Sequence, residues 1–230
     1  MKQIGERQRT EAFIAILLSF IGGILDVYCL YNFNIYALLH TGNIIKLAAY
    51  LVDGDWMMFL ITLTIVLSFA GGVYLSNLYG HHHLGNRNRH SMRISMGLLV
   101  LAICIPNDVN PGVISPMKLG AGILFGLLGA FLTNNFFRFS TYGYSATTMT
   151  ANINRLMTNL YVNRQEGKGT FDYSVKVYLL IFAMFIVGAI IGYAYMRFVP
   201  EVSSGFLRYY RYNLVLLIPL LGMRYLYSLL

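Results

Sequence analysis

Two short polar segments interrupt a chain that is otherwise strongly apolar. The first, TGNIIKL, begins at Thr41, and the second, TANINRL, begins at Thr150. Each segment carries a hydroxyl, an amide and a cation at the same spacing. A hydroxyl can accept a hydrogen bond from a free N–H group at the start of a helix, and a helix start attracts anions. The pattern therefore predicts two capped helix starts that present donors and positive charge to a small solute.

The two segments match position by position, because Thr150 lies 109 residues after Thr41. A small residue follows each threonine and would let another backbone approach closely. Chance recurrence of a Thr-x-Asn pattern is the competing explanation. The substrate-binding residues predicted from this match are Thr41, Gly42, Asn43, Lys46, Thr150, Asn152 and Arg155.

The same offset places Asp26 on Asn135 without a gap. Asp26 is the one carboxylate within an apolar run, and an ionisable group inside a membrane is costly and marks a functional site. We predict a coupling or gating role for Asp26 and Asn135. A purely structural alternative, in which Asp26 neutralises Lys46 or Arg155, stays open. Asn135 cannot ionise, so the two positions differ in charge.

The composition indicates a membrane protein. Of 230 residues, 57% are hydrophobic and only 11% are charged, whereas soluble domains carry about 25% charged residues. The net charge of +8 comes from basic residues between apolar runs. The positive-inside rule explains that placement better than nucleic-acid binding does. We expect the lipid bilayer as a partner, no nucleic acid, and one membrane domain over residues 1–230.

Six apolar runs approach the length of about 20 residues that a membrane crossing needs. The predicted spans are Phe13–Tyr31, Trp56–Leu78, Met92–Ile105, Met117–Phe137, Val175–Phe198 and Tyr212–Leu230. The excess of basic residues places both termini and the loop at about 80–93 in the cytoplasm. Two further segments, at about 40–51 and 147–161, are too polar for ordinary lipid-facing helices and are predicted to be short broken or re-entrant helices.

The fold class predicted is therefore an all-α integral membrane protein with six transmembrane helices. Its pseudo-repeat halves cover about 11–106 and 117–230, and each contributes three crossings. An odd number of crossings inverts the second half relative to the first, as in many transporters that bind their solute between the halves.

Longer stretches around both polar segments resemble a known family. GGILDVYCLYNFNIYALLHTGNIIKLAAYL, which begins at Gly22, is similar to the Gly-x-x-Asp and Thr-Gly-Asn signature of the YoaK-like proteins, domain of unknown function 1275. GLLGAFLTNNFFRFSTYGYSATTMTANINRL, which begins at Gly126, resembles the corresponding second element, with Ala151 where glycine is usual. The resemblance implies a six-span protein of the bacterial plasma membrane and names no activity.

Enzymatic chemistry is not expected. A membrane aspartyl protease needs two carboxylates that share a proton, and the apolar runs hold only Asp26. The chain has no HExxH motif, no P-loop and no dinucleotide fingerprint. His40 beside Thr41 is the one pairing of a base with a hydroxyl at membrane depth. We predict no cofactor, and we interpret the adjacent histidines at His81–His83 as a solvated loop without a metal.

Glycines also suggest close helix contacts. Gly188 and Gly192 form a GxxxG pattern, and Gly71 and Gly72 are adjacent in another apolar run. Such glycines let helices approach closely. Packing within one chain is the use we predict, with a homo-oligomer contact as the open alternative.

The function predicted from these features is secondary transport, or a channel-like activity, for a small solute of unknown identity, with an anion favoured. The competing hypothesis is a membrane scaffold or assembly partner that transports nothing. In that case the polar residues would only satisfy one another.

Overall fold

The computed structural model describes residues 2–82, 87–106, 116–136, 138–139, 142–144, 149–167, 172–199 and 210–230. These residues form eight α-helices, one 3₁₀ turn at Asn213–Leu216 and a two-stranded antiparallel ladder. The helices are α1 Lys2–Phe33, α2 His40–Val52, α3 Trp56–His82, α4 Arg87–Ile103, α5 Pro116–Asn135, α6 Met149–Gln165, α7 Tyr173–Phe198 and α8 Leu217–Leu229. The strands, β1 Arg138–Phe139 and β2 Tyr142–Gly143, lie between α5 and α6.

The helical membrane character predicted from the sequence is confirmed, whereas the count of six spans is not. In the part of the chain that the structure describes, three helices are long and apolar enough to cross a membrane: Gly5–Phe33, Trp56–Gly80 and Tyr173–Phe198. Shorter apolar helices cover Leu119–Asn135 and Asn213–Leu229. Helix α4, which holds the predicted third span, is not among them, because it opens with the polar sequence RNRHSMR.

Helices α1 and α5 form the centre of the molecule. The most apolar window of α1 is 67% buried, whereas the corresponding windows of α3 and α7 are only 22% and 28% buried. Tyr28 of α1 and Phe125 of α5 are both buried, and their ring centroids lie 5.4 Å apart. Helix α1 is therefore the most buried of the three long helices, and this ring pair brings it into contact with α5.

The outer helices expose large apolar side chains. Leu67 of α3, Ile190 of α7 and Leu221 of α8 are 60%, 60% and 70% exposed. Monomeric soluble proteins rarely expose continuous apolar surfaces of this kind. Lipid is the solvent that these faces suit.

Glycines allow the helices to pack closely in two matching places. Helix α1 packs mainly on α7, and α3 packs mainly on α5. A Cβ atom added at Gly188 of α7 would overlap the backbone carbonyl of Phe20 on α1. A Cβ atom added at Gly72 of α3 would lie 2.7 Å from the Cβ of Ala130 on α5. Gly72 and Gly188 thus serve packing within one chain, as predicted, whereas a Cβ atom at Gly71 would have no atom within 4 Å.

Candidate functional site

The site begins with a buried break between α1 and α2. Residues 34–39 are not helical, yet Ile35 and Ala37 are fully buried. The break lies against α5, because a Cβ atom added at Gly129 would be 2.7 Å from the Ala37 carbonyl oxygen. Irregular backbone within a membrane protein is tolerated where protein surrounds it. Its N–H and C=O groups still need hydrogen-bond partners.

Asp26 supplies acceptors for one part of this break. Its Oδ1 accepts a hydrogen bond of 2.8 Å from the backbone N–H of Leu38. The N–H groups of Ala37 and Leu39 also lie close to this carboxyl. The ion pair considered for Asp26 with Lys46 or Arg155 is not present, since Asp26 has no cation within ion-pair distance among the residues described. Asp26 therefore forms a hydrogen bond with the backbone of the break rather than an ion pair with a cation.

Asn43 holds the residue at the middle of the break. Its Oδ1 accepts from the N–H of Tyr36 at 2.8 Å, and its Nδ2 donates to the C=O of Tyr36 at 2.7 Å. Asn43 is fully buried, in the first turn of α2. Its side chain thus replaces the backbone partners that Tyr36 would have in a helix or sheet.

Lys46 completes the arrangement at the C-terminal end of α1. Its Nζ donates to the backbone oxygen of Asn34 at 2.7 Å and to Asn34 Oδ1 at 2.9 Å. Asn34 has a φ of 54°, the left-handed conformation in which many helices end. A cation at the C-terminal end of a helix is also favoured by the helix dipole. Lys46 is therefore a helix cap.

The capping role predicted for Thr41 is wrong. Helix α2 starts at His40 after Leu39, and no side chain caps it. Thr41 lies inside the first turn with an exposed side chain. Gly42 has a packing role, because a Cβ atom there would lie 2.9 Å from the ring of Tyr36. Thr41 and Gly42 therefore have different environments, since Gly42 packs against the break and Thr41 is exposed.

The second polar segment repeats part of this arrangement. Asn152 is 1% exposed in the first turn of α6, in the position that Asn43 occupies in α2. Arg155 lies against the preceding connection, since a Cβ atom at Gly143 would be 3.6 Å from its guanidinium carbon. The C=O of Gly143 also accepts a hydrogen bond from the Tyr178 hydroxyl. Thr150 is the second residue of α6, so it does not precede the helix as a cap would.

Asn135 lies in a separate polar cluster that joins α3, α4 and α5. Its Nδ2 donates to Ser76 Oγ at 2.7 Å and to Ser91 Oγ at 2.6 Å. Its Oδ1 accepts from Nε of Arg87. Sequence reasoning missed Ser76, Arg87 and Ser91. The only signal was a serine close to one end of two apolar runs, Ser76 before Leu78 and Ser91 before Met92, which is too weak to identify a cluster.

His40 does not form the base–hydroxyl pair that a serine-type enzyme would need. Both of its ring nitrogens are buried and lack a hydrogen-bond partner among the residues described, and its ring lies 3.7 Å from that of Phe69. Of the histidine run, the side chains of His81 and His82 and all of His83 lie outside the described part of the chain. The expectation that the chain is not an enzyme stays a prediction.

Substitution of Asn43 by alanine should cost about 2 to 3 kcal/mol of unfolding free energy, because a buried N–H and a buried C=O of Tyr36 would lose their partners. Thermal or denaturant unfolding of the purified protein would measure this loss. Thr41→Ala is the matched control in the same motif and should change stability by less than about 0.5 kcal/mol, as exposed sites do. Equal losses of unfolding free energy for both variants would contradict the conclusion that Asn43 stabilises the break.

Comparison with known proteins identifies the family. The model of one protein family, described as "Protein of unknown function (DUF1275)", matches residues 14–207. No curated protein and no solved structure matches the chain. The match includes both polar segments, the buried break and the residues that hold it. The chain therefore belongs to the DUF1275 family, whose function is unknown.

Proposed function

We propose that the chain is a secondary transporter or channel-like protein for a small solute in the bacterial plasma membrane. It spans the membrane six times with both termini in the cytoplasm, and its two halves form an inverted repeat. The solute passes between the halves, next to the connections that precede α2 and α6.

Helix packing supports the repeat. If α1 to α4 correspond in order to α5 to α8, the contact between α1 and α7 corresponds to the contact between α5 and α3, and both are extensive. By the same correspondence, the contact between α2 and α3 matches that between α6 and α7. The contact between α4 and α5 matches that between α8 and α1. A chain without internal symmetry has no reason to pair its helices in this way. Asn43 of α2 and Asn152 of α6 are also both buried, as corresponding positions in two repeats should be.

The observation that carries the proposal is the buried break at 34–39. There Asp26 accepts a backbone hydrogen bond and has no cationic partner among the described residues. Discontinuous helices at a repeat interface are the usual place for solute and ion sites in transporters. A membrane carboxylate without a cation next to such a break suits proton or cation coupling. Movement of α2 would change the donors around Asp26.

The polar residues then divide into two groups. Thr41, Thr150 and Arg155 are exposed and can meet a solute without rearrangement. Asn43 and Asn152 are buried, and Gly42 packs on Tyr36, so these residues would reach a solute only when the connections open. Lys46 would similarly have to leave Asn34.

A scaffold remains the second candidate, and one observation favours it. Both amide atoms of Asn43 and the Nζ atom of Lys46 already have partners within the chain. Polar groups with this arrangement stabilise the fold whether or not a solute binds.

Ligand-dependent stability and flux would separate the two functions. The purified protein would be screened by thermal unfolding against small inorganic anions, cations and carboxylates. A solute at about 100 times its dissociation constant should add about 2.7 kcal/mol of stability. The stabilising solute should then produce flux in proteoliposomes, and Arg155→Met should lower it. Cooperative unfolding with neither stabilisation nor flux would support the scaffold.

A further inference from the structure

A basic cleft lies between α4 and α8, away from both polar segments. Its volume is about 480 Å³, and it is lined by Arg89, Leu221, Arg224, Tyr225, Tyr227 and Ser228. On α8, residues 221 and 225 lie one turn apart, as do residues 224 and 228. The helix therefore presents apolar and polar groups side by side along the cleft.

Positive charge is concentrated at one aromatic ring of this cleft. The guanidinium carbons of Arg89 and Arg93 lie 5.5 and 5.1 Å from the centroid of the Tyr227 ring. Nε of Arg93 also donates to the Tyr227 hydroxyl at 2.6 Å. These contacts fix two cations at the edge of the cleft, and Arg224 adds a third to its wall.

No carboxylate balances these cations in the part of the chain that the structure describes. The one ion pair found there, Arg7–Glu11, does not involve the cleft. Like charges held around one ring repel each other, and a bound anion would relieve that repulsion. Arginine suits phosphate in particular, because its planar fork of N–H groups matches two phosphate oxygens.

The apolar part of the cleft distinguishes a lipid from a free ion. Leu221 is 70% exposed and Tyr225 is 52% exposed. A small inorganic anion gains nothing from such a wall, whereas a phospholipid would lay its acyl chains along it. Basic pockets between membrane helices bind anionic head groups in this way.

We propose that the cleft between α4 and α8 is a binding site for an anionic phospholipid, with its phosphate held by Arg89, Arg93 and Arg224 and its acyl chains against Leu221 and Tyr225. In the proposed orientation the cleft faces the cytoplasmic leaflet. Binding itself does not depend on the transported solute or on whether transport occurs, so this site and the proposed function can fail separately.

Native mass spectrometry of the full chain in neutral detergent would test the site, with phosphatidylglycerol and phosphatidylcholine as probes. Wild-type protein should retain phosphatidylglycerol in preference to phosphatidylcholine. Each arginine near the membrane surface is expected to contribute about fivefold in affinity. Arg224→Gln should therefore weaken binding about fivefold, and the triple variant R89Q/R93Q/R224Q about a hundredfold.

Arg164→Gln is the matched control, because this arginine is exposed on α6 and lies outside the cleft. It should leave phosphatidylglycerol binding unchanged. Thermal unfolding in phosphatidylcholine nanodiscs would show that each variant folds. If the triple variant does not fold, Arg224→Gln alone decides, because Arg224 has an exposed side chain at the cleft wall.

Two results would overturn the proposal. The first is a lack of specificity, seen either as equal binding of the two lipids or as unchanged phosphatidylglycerol binding in a folded variant, R89Q/R93Q/R224Q or Arg224→Gln. The second is full displacement of phosphatidylglycerol by millimolar inorganic phosphate, which would make the cleft a site for a free anion.

Discussion

Replacement of Gly188 by alanine is expected to destabilise the protein by about 3 kcal/mol, the upper part of the usual range for an overpacked core. The added methyl group would overlap the backbone carbonyl of Phe20. A side chain could rotate away from such an overlap, but a carbonyl within α1 cannot move without shifting the helix. The facing residue, Gly23, is equally constrained, because a Cβ atom there would overlap the carbonyl of Phe185.

Unfolding of the purified protein by titration with a denaturing detergent would measure this loss. Gly71→Ala is the matched control, since no atom lies within 4 Å of the position its Cβ atom would occupy. That substitution should be neutral or should stabilise the protein by up to about 1 kcal/mol, because alanine favours helix over glycine. Similar losses in both variants would mean that the contact between α1 and α7 is not as close as described.

Sequence reasoning singled out Asp26, Asn43 and Lys46, and all three contact the break at 34–39. Their predicted roles in solute binding and coupling stay predictions. Their partner could not be predicted, because it is backbone. A sequence shows which side chains are unusual, but it does not show which N–H and C=O groups a fold leaves without partners.

The predictions that were wrong or incomplete have local physical causes. Thr41 was predicted as a cap because threonine favours that position. In the structure Leu39 occupies the cap position and α2 begins at His40, so Thr41 lies within the first turn. The N–H groups of Gly42 and Asn43 donate to the backbone oxygen of Leu39 instead. The cluster around Asn135 requires residues from three helices, including Arg87. No spacing along the chain indicates such a cluster, since it depends on how α3, α4 and α5 pack.

The second half could be predicted less well than the first. Asn152 and Arg155 lie as Asn43 and Lys46 do, each near the connection before its own helix. That connection contains the β1–β2 ladder, which the pattern of apolar residues did not predict. Where the first break has a carboxylate, the matching position is Asn135, which bonds to other helices. Similar sequence patterns therefore position two helices by different contacts.

Asp26→Ala is expected to cost about 3 kcal/mol, because the N–H group of Leu38 would lose its acceptor inside the protein and the N–H groups of Ala37 and Leu39 would lose a nearby carboxyl. Asp26→Asn should cost less, since its amide oxygen can still accept from Leu38. Combining Asp26→Ala with Asn43→Ala should cost less than the two losses added together. Both side chains hold one connection, and residues that share a network couple by about 1 kcal/mol.

Flux measurements on the same variants would decide what the carboxyl does beyond holding the break. If Asp26 couples transport, Asp26→Asn should abolish coupled flux in protein that remains folded, whereas Gly188→Ala, which disturbs the contact between α1 and α7 outside the candidate site, should reduce flux only in proportion to the unfolded fraction. If Asp26 is only a structural acceptor, both variants should lose flux in proportion to their lost stability. The comparison separates the two roles because both substitutions lower stability, whereas only Asp26→Asn removes a group that can change its charge.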